Sequence, residues 1–384
     1  MRRAPNEPLP GATDPWAPSE MPAFRGRPPY VMSEMIAAEP ALAERLLRRL
    51  STNDAMEKLT SLVRDAVAAG EPVVTTGCGT SEHAAMAIAA MLNDALGLTT
   101  GRDVRAIQAL EALRRPPAAG AVIGVSHEGG THATNEALRA ARDAGATTAL
   151  ITVGDASPGA SLADVVVTTE EQDQSWCHTV GYLSPLIVGA GLSARLAGAR
   201  PDAAAIRSLL DVTQEARAPA SIAAGLSGTD RLIVVGSGPD YVTAREMALK
   251  VAEGARLAAG AHELETILHG HLAAASRWTG LVLVLTDDTS QIADRARKAL
   301  DAANALAIPA AALLSDATDR KIPAEATPAG RIVIRTVGRV PAVVGSLLAS
   351  AVALQLLTEH LARARSVDPD TLGREDPAQA SAHA

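Results

Sequence analysis

Apolar residues recur along this chain in two rhythms. In MSEMIAAEPALAERLLRRL, from Met32, and AMEKLTSLVRDAVAAG, from Ala55, they return every three to four positions, which predicts two amphipathic helices. Beyond them, short unbroken apolar runs alternate with helical stretches: PVVTTG, a helix from Ser81, VRAIQA, AVIGVS, a helix from about His132, TTALITV and ADVVVTT. Runs that are apolar on both faces belong to strands covered on both sides, so the pattern predicts parallel sheets with crossover helices, an α/β fold. Residues 1–30 are Pro-rich and without periodicity, and read as an extended arm.

The order then repeats. RLIVVGSGPDYVTAREMALKV places strand, Gly-x-Gly and helix as PVVTTGCGTSEHAAMAIAAML does. LVLVLTDDTSQIADRARKALDAANALAIPAAALL parallels AVIGVSHEGGTHATNEALRAARDAGATTALI in the same way, and both separations are about 160 residues. Matched spacing at two places predicts two tandem copies of one unit, with a helical linker near residues 181–226.

Composition narrows the picture. Aromatic residues make up 2% of the chain against a hydrophobic share of 47%, so the core must be built from Ala, Leu, Val and Ile. The net charge of −8, with no Lys/Arg block interleaved with aromatics, argues against a nucleic-acid partner. Two cysteines, Cys78 and Cys177, form neither a metal pair nor a disulfide framework and fit a reducing cytoplasm. MRRAPNEPLPG has no apolar core of a signal peptide. VPAVVGSLLASAVALQLL, from Val340, carries Pro341, Ser346, Ser350 and Gln355 and is expected as a buried core or interface helix rather than a membrane span. The expectation is a cytoplasmic protein without a membrane or nucleic-acid partner.

Candidate chemistry gathers in four places. In TTGCGTSEH, Gly77 and Gly79 permit a tight turn and Thr80 or Ser81 caps the helix, so Cys78, Gly79, Thr80 and Ser81 form a strand-to-helix turn fit for an anion. GVSHEGGTHAT repeats the device with Ser126, His127, Glu128 and Thr131, at the same carboxyl edge of the sheet. In TAREMALKVAEGA, Glu246, Lys250 and Glu253 stand at i, i+4 and i+7 on one face of a helix apolar nearly all round. That face is an internal ion network, a cavity wall or a solvated stripe. In HELETILHGHLAA, His269 and His271 lie near Glu263 and Glu265. A metal site, a proton carrier and a structural turn all stay open there, although the spacing is irregular for metal ligands.

GCGTS, SHEGGT, REMALKVAE and LHG together resemble the sugar isomerase (SIS) domain superfamily. The resemblance is closest to its double-domain members related to the isomerase half of glucosamine-6-phosphate synthase and to amino-sugar-phosphate deaminases and deglycases. It covers roughly residues 31–375, and VDPDTLGREDP resembles the tail of the deaminase and deglycase branch. It implies two tandem SIS-type three-layer α/β/α units with parallel sheets: a first unit over 31–200 with its N-terminal helices, a second over 201–366, and a C-terminal tail over 367–384. It also implies roles. Thr80, Ser81, Ser126 and Thr131 match hydroxyls that hold a sugar phosphate. Glu253 matches the carboxylate that shuttles a proton between C1 and C2, Lys250 the lysine beside it and Glu246 the first acid of the helix. His269 matches a histidine that opens the sugar ring from the partner subunit of a homodimer. No cofactor and no metal are implied, and no glutaminase domain precedes the match, so the chain is not expected to take ammonia from glutamine.

The motifs depart from the family's in specific ways. Where Ser-x-Ser-Gly-x-Thr is usual, Glu128 replaces a phosphate-binding serine, and a carboxylate repels a dianion unless paired. In SWCHTVGY, which resembles the loop closing the phosphate site, His178 replaces a hydroxyl, so a Glu128–His178 pair is expected to restore neutrality. The usual His-Gly-Pro reads His269-Gly270-His271, and Arg374 is the substitute for an absent C-terminal lysine. The expected function is an aldose–ketose isomerase or isomerising deaminase for a hexose with an anionic C6 group, a 6-phosphate or a 6-sulfonate. The alternative is a non-catalytic, sugar-phosphate-binding regulatory module.

Overall fold

The structure, a computed structural model, describes residues 27–98, 104–211 and 217–382. The arm expected over 1–30 therefore lies, up to residue 26, outside the described residues.

Helices α1 (Val31–Leu50) and α2 (Asp54–Ala69) open the described chain, as their periodicity predicts. Then follow β1 (Val73–Gly77), α3 (Thr80–Leu96), β2 (Arg105–Gln108), α4 (Ala109–Arg114), β3 (Ala121–Val125), α5 (His132–Ala144), β4 (Thr147–Thr152) and β5 (Val165–Thr168). The five strands pair in parallel in the order β2-β1-β3-β4-β5. Helices α6 (Val180–Leu196), α7 (Ala203–Leu210) and α8 (Arg217–Leu226) lead to the second unit. It runs β6 (Arg231–Gly236), α9 (Pro239–Gly254), β7 (Ala258–Glu263), α10 (Leu264–Ile267), β8 (Thr279–Leu285), α11 (Ser290–Ala305), β9 (Ala310–Ser315), α12 (Asp316–Asp319), β10 (Gly330–Ile334), α13 (Ala342–Ala364) and α14 (Pro377–Ala382).

The second sheet has the order β10-β9-β8-β6-β7, again parallel. Read from β7, each strand occupies the place of its counterpart in the first sheet, so the repeat extends to the sheet topology. It also extends to the turns. Gly79 and Gly238 both have φ +56°, with ψ −127° and −128°, a backbone that side-chain-bearing residues rarely adopt. The first glycine of each turn serves close packing: a Cβ on Gly77 would meet the Ser81 carbonyl at 2.6 Å, and one on Gly236 the Asp240 carbonyl at 2.4 Å.

One continuous Ala/Leu/Val/Ile core joins the units, running through α1, α3, α6, α9 and α13. Helix α13 is long and apolar enough to cross a membrane by composition, but 72% of that window is buried inside this fold. Helix α6 packs against α3 within the first unit, so the linker foreseen over 181–226 begins only beyond it. Strand β7 was not foreseen, because Ala258, Ala259, Gly260 and Ala261 at the sheet edge lack the apolar run of a central strand.

Candidate active site

The site is built where α9 of the second unit meets the N-terminus of α3 in the first. Glu246 is fully buried on α9, and the interface supplies its partners. The Thr80 hydroxyl donates to its Oε1 at 3.3 Å, and His83 Nδ1 lies 2.7 Å from its Oε2. One turn along α9, the Lys250 ammonium is 1% exposed, 3.7 Å from Glu246 Oε1 and 2.5 Å from Glu253 Oε2. The solvated-stripe reading is thereby excluded: the three residues form a carboxylate–ammonium–carboxylate row, and Glu253, whose side chain is 24% exposed, is the end that reaches solvent.

Burial works against each charge, and the neighbours reverse it. Desolvation alone would lift the Glu246 carboxyl, but the Lys250 ammonium and the bonds from His83 and Thr80 hold it below the usual carboxylate range. Desolvation would likewise depress Lys250, yet Glu253 and Glu246 raise it above an ordinary lysine. Lys250 therefore stays an ammonium across the physiological range, placed to stabilise negative charge rather than to take up a proton.

The two glycine turns lie at the carboxyl ends of the adjacent strands β1 and β3. Ser81 is half-buried and its hydroxyl has no partner among the described residues. The buried Ser126 hydroxyl donates to Thr131 Oγ1 at 3.2 Å. Cys78 sits beneath the first turn, with Gln108 Nε2 and the Thr134 hydroxyl 3.9 and 3.8 Å from its sulfur, and burial raises its thiol. The turns thus offer backbone N–H groups and hydroxyls at two helix N-termini, which together suit an anionic oxygen.

The expected Glu128–His178 pair is not formed. Glu128 Oε1 accepts from Gln172 Nε2 at 3.2 Å, while the His178 ring stands 5.1 Å from that of His127, tilted by 56°. His127 Nε2 accepts the Asp173 N–H at 2.9 Å, which leaves the His127 proton on Nδ1, and burial lowers its pKa. His178 is pushed down to about 4 by burial first, with His127 and Lys250 adding to the shift against Asp173 and Glu246. Both histidines are thus neutral at physiological pH, and neither compensates Glu128.

Asp173 organises this loop. Its Oδ2 accepts N–H bonds from Thr179 at 2.6 Å and Gly181 at 2.9 Å, and its Oδ1 accepts one from Ser175 at 3.0 Å. The C-terminal tail braces the same loop, with the Trp176 N–H donating to the Asp370 carbonyl at 3.1 Å and the Arg374 guanidinium 3.4 Å above the Trp176 ring. Arg374 is thus placed on the loop, rather than on the α9 row that the missing lysine would complete. His269 is exposed and bonds to Glu265 at 2.9 Å on its own segment. No bond joins it to Glu246, Lys250 or Glu253 within one chain. His271 turns instead to His262, with ring centroids 4.3 Å apart. Among the described residues, no group of three or more His, Cys, Asp or Glu side chains is arranged to hold a metal ion.

His83 and Asp173 were not singled out from the sequence. His83 stands in the apolar stretch SEHAAM, three residues after Thr80, and a histidine on that face needs a buried partner. A cavity of about 290 Å³ opens beside the row, lined by His83, Tyr241, Arg245, Ala248 and Ala252 with the edge of β7.

Residues 70–190 match the family model described as the SIS domain. Those residues are a SIS domain. Its fold recurs in solved structures along nearly the whole chain. The C-terminal domain of glucosamine-fructose-6-phosphate aminotransferase from Francisella tularensis is 18% identical with a TM-score of 0.76, covering 90% of this chain and 99% of that one. The tagatose-6-phosphate ketose/aldose isomerase from Escherichia coli is 17% identical with a TM-score of 0.71, covering 92% and 97%. The glucosamine-6-phosphate deaminase from Thermotoga maritima is 18% identical with a TM-score of 0.61, covering 88% and 97%. No curated protein sequence matches the chain. The SIS domain contributes both glycine turns, and the second unit, with the same strand order, contributes the charged row.

Proposed function

We propose that the chain is a cytoplasmic aldose–ketose isomerase, or isomerising deaminase, for a hexose bearing an anionic C6 group. The observation that carries this reading is the row Glu246–Lys250–Glu253, buried against the first anion-competent turn of the SIS domain, with Glu253 as the member of the row that reaches solvent. A base beside a fixed cation is what moving a proton between C1 and C2 requires. Glu253 removes the proton from one carbon and returns it to the next. Lys250 stabilises the oxyanion of the enediol or enediolamine, and Glu246 keeps Lys250 protonated. Ser81, Ser126, Thr131 and the Gly79 backbone take the anion. Ring opening falls to His269 of a second copy in a homodimer, in keeping with its exposure and its separation from the row within one chain. The solved structures of like fold are named as a ketose/aldose isomerase, an aminotransferase domain and a deaminase of phosphorylated sugars, which supports the reaction class.

Glu128 favours a monoanionic C6 group, such as a sulfonate, over a phosphate dianion, because its carboxylate sits in the second turn with the neutral Gln172 as its hydrogen-bond partner among the described residues. The test is incubation in D2O with hexose 6-phosphates and 6-sulfonates, their ketoses and their amino sugars, followed by proton NMR and an ammonia assay. Deuterium entering C1 or C2 with aldose–ketose interconversion is expected for one of them. Binding without any exchange would leave a sugar-binding module instead.

A further inference from the structure

Helix α1 carries an acid in an unusual setting. Glu39 is fully buried where α1 packs on α6 and α13, and among the described residues neither carboxyl oxygen receives a hydrogen bond. What faces it is Gln355 from α13 and, beyond that, the charge of Asp173, another anion. Gln355 has the complementary deficit. Its Nε2 donates to the Thr179 carbonyl at 3.1 Å, while its Oε1 is buried and has no donor. A carboxylate and an amide oxygen, both acceptors, cannot satisfy each other. A carboxylic acid can, because its O–H supplies a donor where the second Gln355 Nε2 proton reaches neither carboxyl oxygen in bonding geometry. Burial, with a smaller contribution from Asp173 and against the neighbouring Gln355 amide, also drives the Glu39 pKa well above its ordinary value.

We propose that Glu39 is a positioning residue: its carboxyl O–H donates to Gln355, and the link runs on through Thr179 to the turn that presents His178. Gln355 holds the Thr179 carbonyl, the Thr179 and Gly181 N–H groups hold Asp173 Oδ2, and the Ser175 N–H holds Asp173 Oδ1. Trp176, Cys177 and His178 lie inside that span. Helix α1 grips the preceding residues as well, through Arg45 on Glu171 and Arg49 on Glu170 and the Thr168 carbonyl. Glu39 is the point where that grip reaches the turn itself.

The turn carries its own reporter. Of the three tryptophans, Trp278 is exposed and Trp16 falls outside the described residues, so replacing both by Phe leaves Trp176, whose Nε1 is buried, as the single tryptophan fluorophore. In that background Glu39→Gln, which keeps shape and donor, should leave the emission maximum and acrylamide quenching of Trp176 at the parent's values. Glu39→Leu, which fills the space without a donor, should red-shift the emission and raise quenching several-fold. Gln355→Leu should do the same and decides the matter if Glu39→Leu does not fold. The kinetic arm rests on the isomerase reading: Glu39→Leu should raise KM for the hexose about tenfold, with a smaller effect on kcat, and Glu39→Gln should restore it. Parent-like quenching in Glu39→Leu or Gln355→Leu, or release of Trp176 by Glu39→Gln, would overturn the proposal. If the parent turns over no hexose while Trp176 responds as described, the isomerase reading fails and the positioning role stands.

Discussion

His83 Nδ1 lies 2.7 Å from Glu246 Oε2, so a helix of the SIS domain holds the first acid of a row that belongs to the other unit. Both side chains are buried, and the contact is a polar link set into a continuous apolar core. His83→Phe should cost about 1–3 kcal/mol in urea unfolding, because Glu246 loses a donor it cannot replace from water. A loss below a few tenths of a kcal/mol would mean that Thr80 and Lys250 already suffice.

Acid stability follows from the same carboxylate. The Glu246 pKa is depressed in the folded state, so its contribution is present above the ordinary carboxylate value of 4.5 and is lost as pH falls through the folded value. The stability difference between the parent and Glu246→Gln should therefore shrink as pH drops below about 4.5. A difference independent of pH would show that the carboxylate is not ionised in the fold.

Glu39 behaves with the opposite sign. Its folded pKa is raised, so its contribution is complete below 4.5 and is lost as pH rises toward the folded value. Glu39→Gln should gain on the parent in thermal stability from pH 5 upward and not below pH 4. Parallel curves across that range would contradict a neutral Glu39.

Removing Lys250 strips two carboxylates of their common cation. Lys250→Met should destabilise by about 3–5 kcal/mol, and the added change Glu246→Gln should recover part of that loss. Glu253→Gln, at the solvent-reaching end and still able to accept a bond from Lys250, should cost less stability than Lys250→Met while reducing turnover by about 10² or more. Solvent-deuterium exchange persisting in Glu253→Gln would move the base elsewhere.

The anion turns predict effects on binding. Ser81→Ala and Ser126→Ala should each raise KM by about 10- to 100-fold, from the loss of about 1.5–3 kcal/mol in a bond to an anion. Glu128→Ser should improve a hexose 6-phosphate more than it improves a sulfonate. Were it to change neither, the Glu128–Gln172 bond would be purely a brace of the loop.

Much of the fold was legible because central parallel strands are apolar on both faces, as β1, β3, β4 and β8 are. Strand β7 was not, since an edge strand built of Ala and Gly has no run to read. The α9 row was legible from spacing within one helix. Glu39, His83 and Asp173 were not, because each acquires its meaning from a partner more than 70 residues away or from backbone N–H groups that only the folded turn brings together. The Glu128–His178 pairing failed for a related reason. Sequence shows that two substitutions occur, but not that Gln172 and His127 intervene between them.

The matching backbones of Gly79 and Gly238 give each molecule its own internal control. The second turn keeps the glycine geometry, yet Pro239 removes one N–H and the Asp240 carboxylate bonds to the Thr286 and Asp287 N–H groups just beyond it. It therefore faces any anion with a charge of like sign. Ionic strength, buffer ions and loosening of the whole fold act on both turns alike. A ligand meant for this protein should slow hydrogen exchange at Gly79 and Thr80 while leaving Gly238 and its neighbours untouched, so signal and background can be read from one sample.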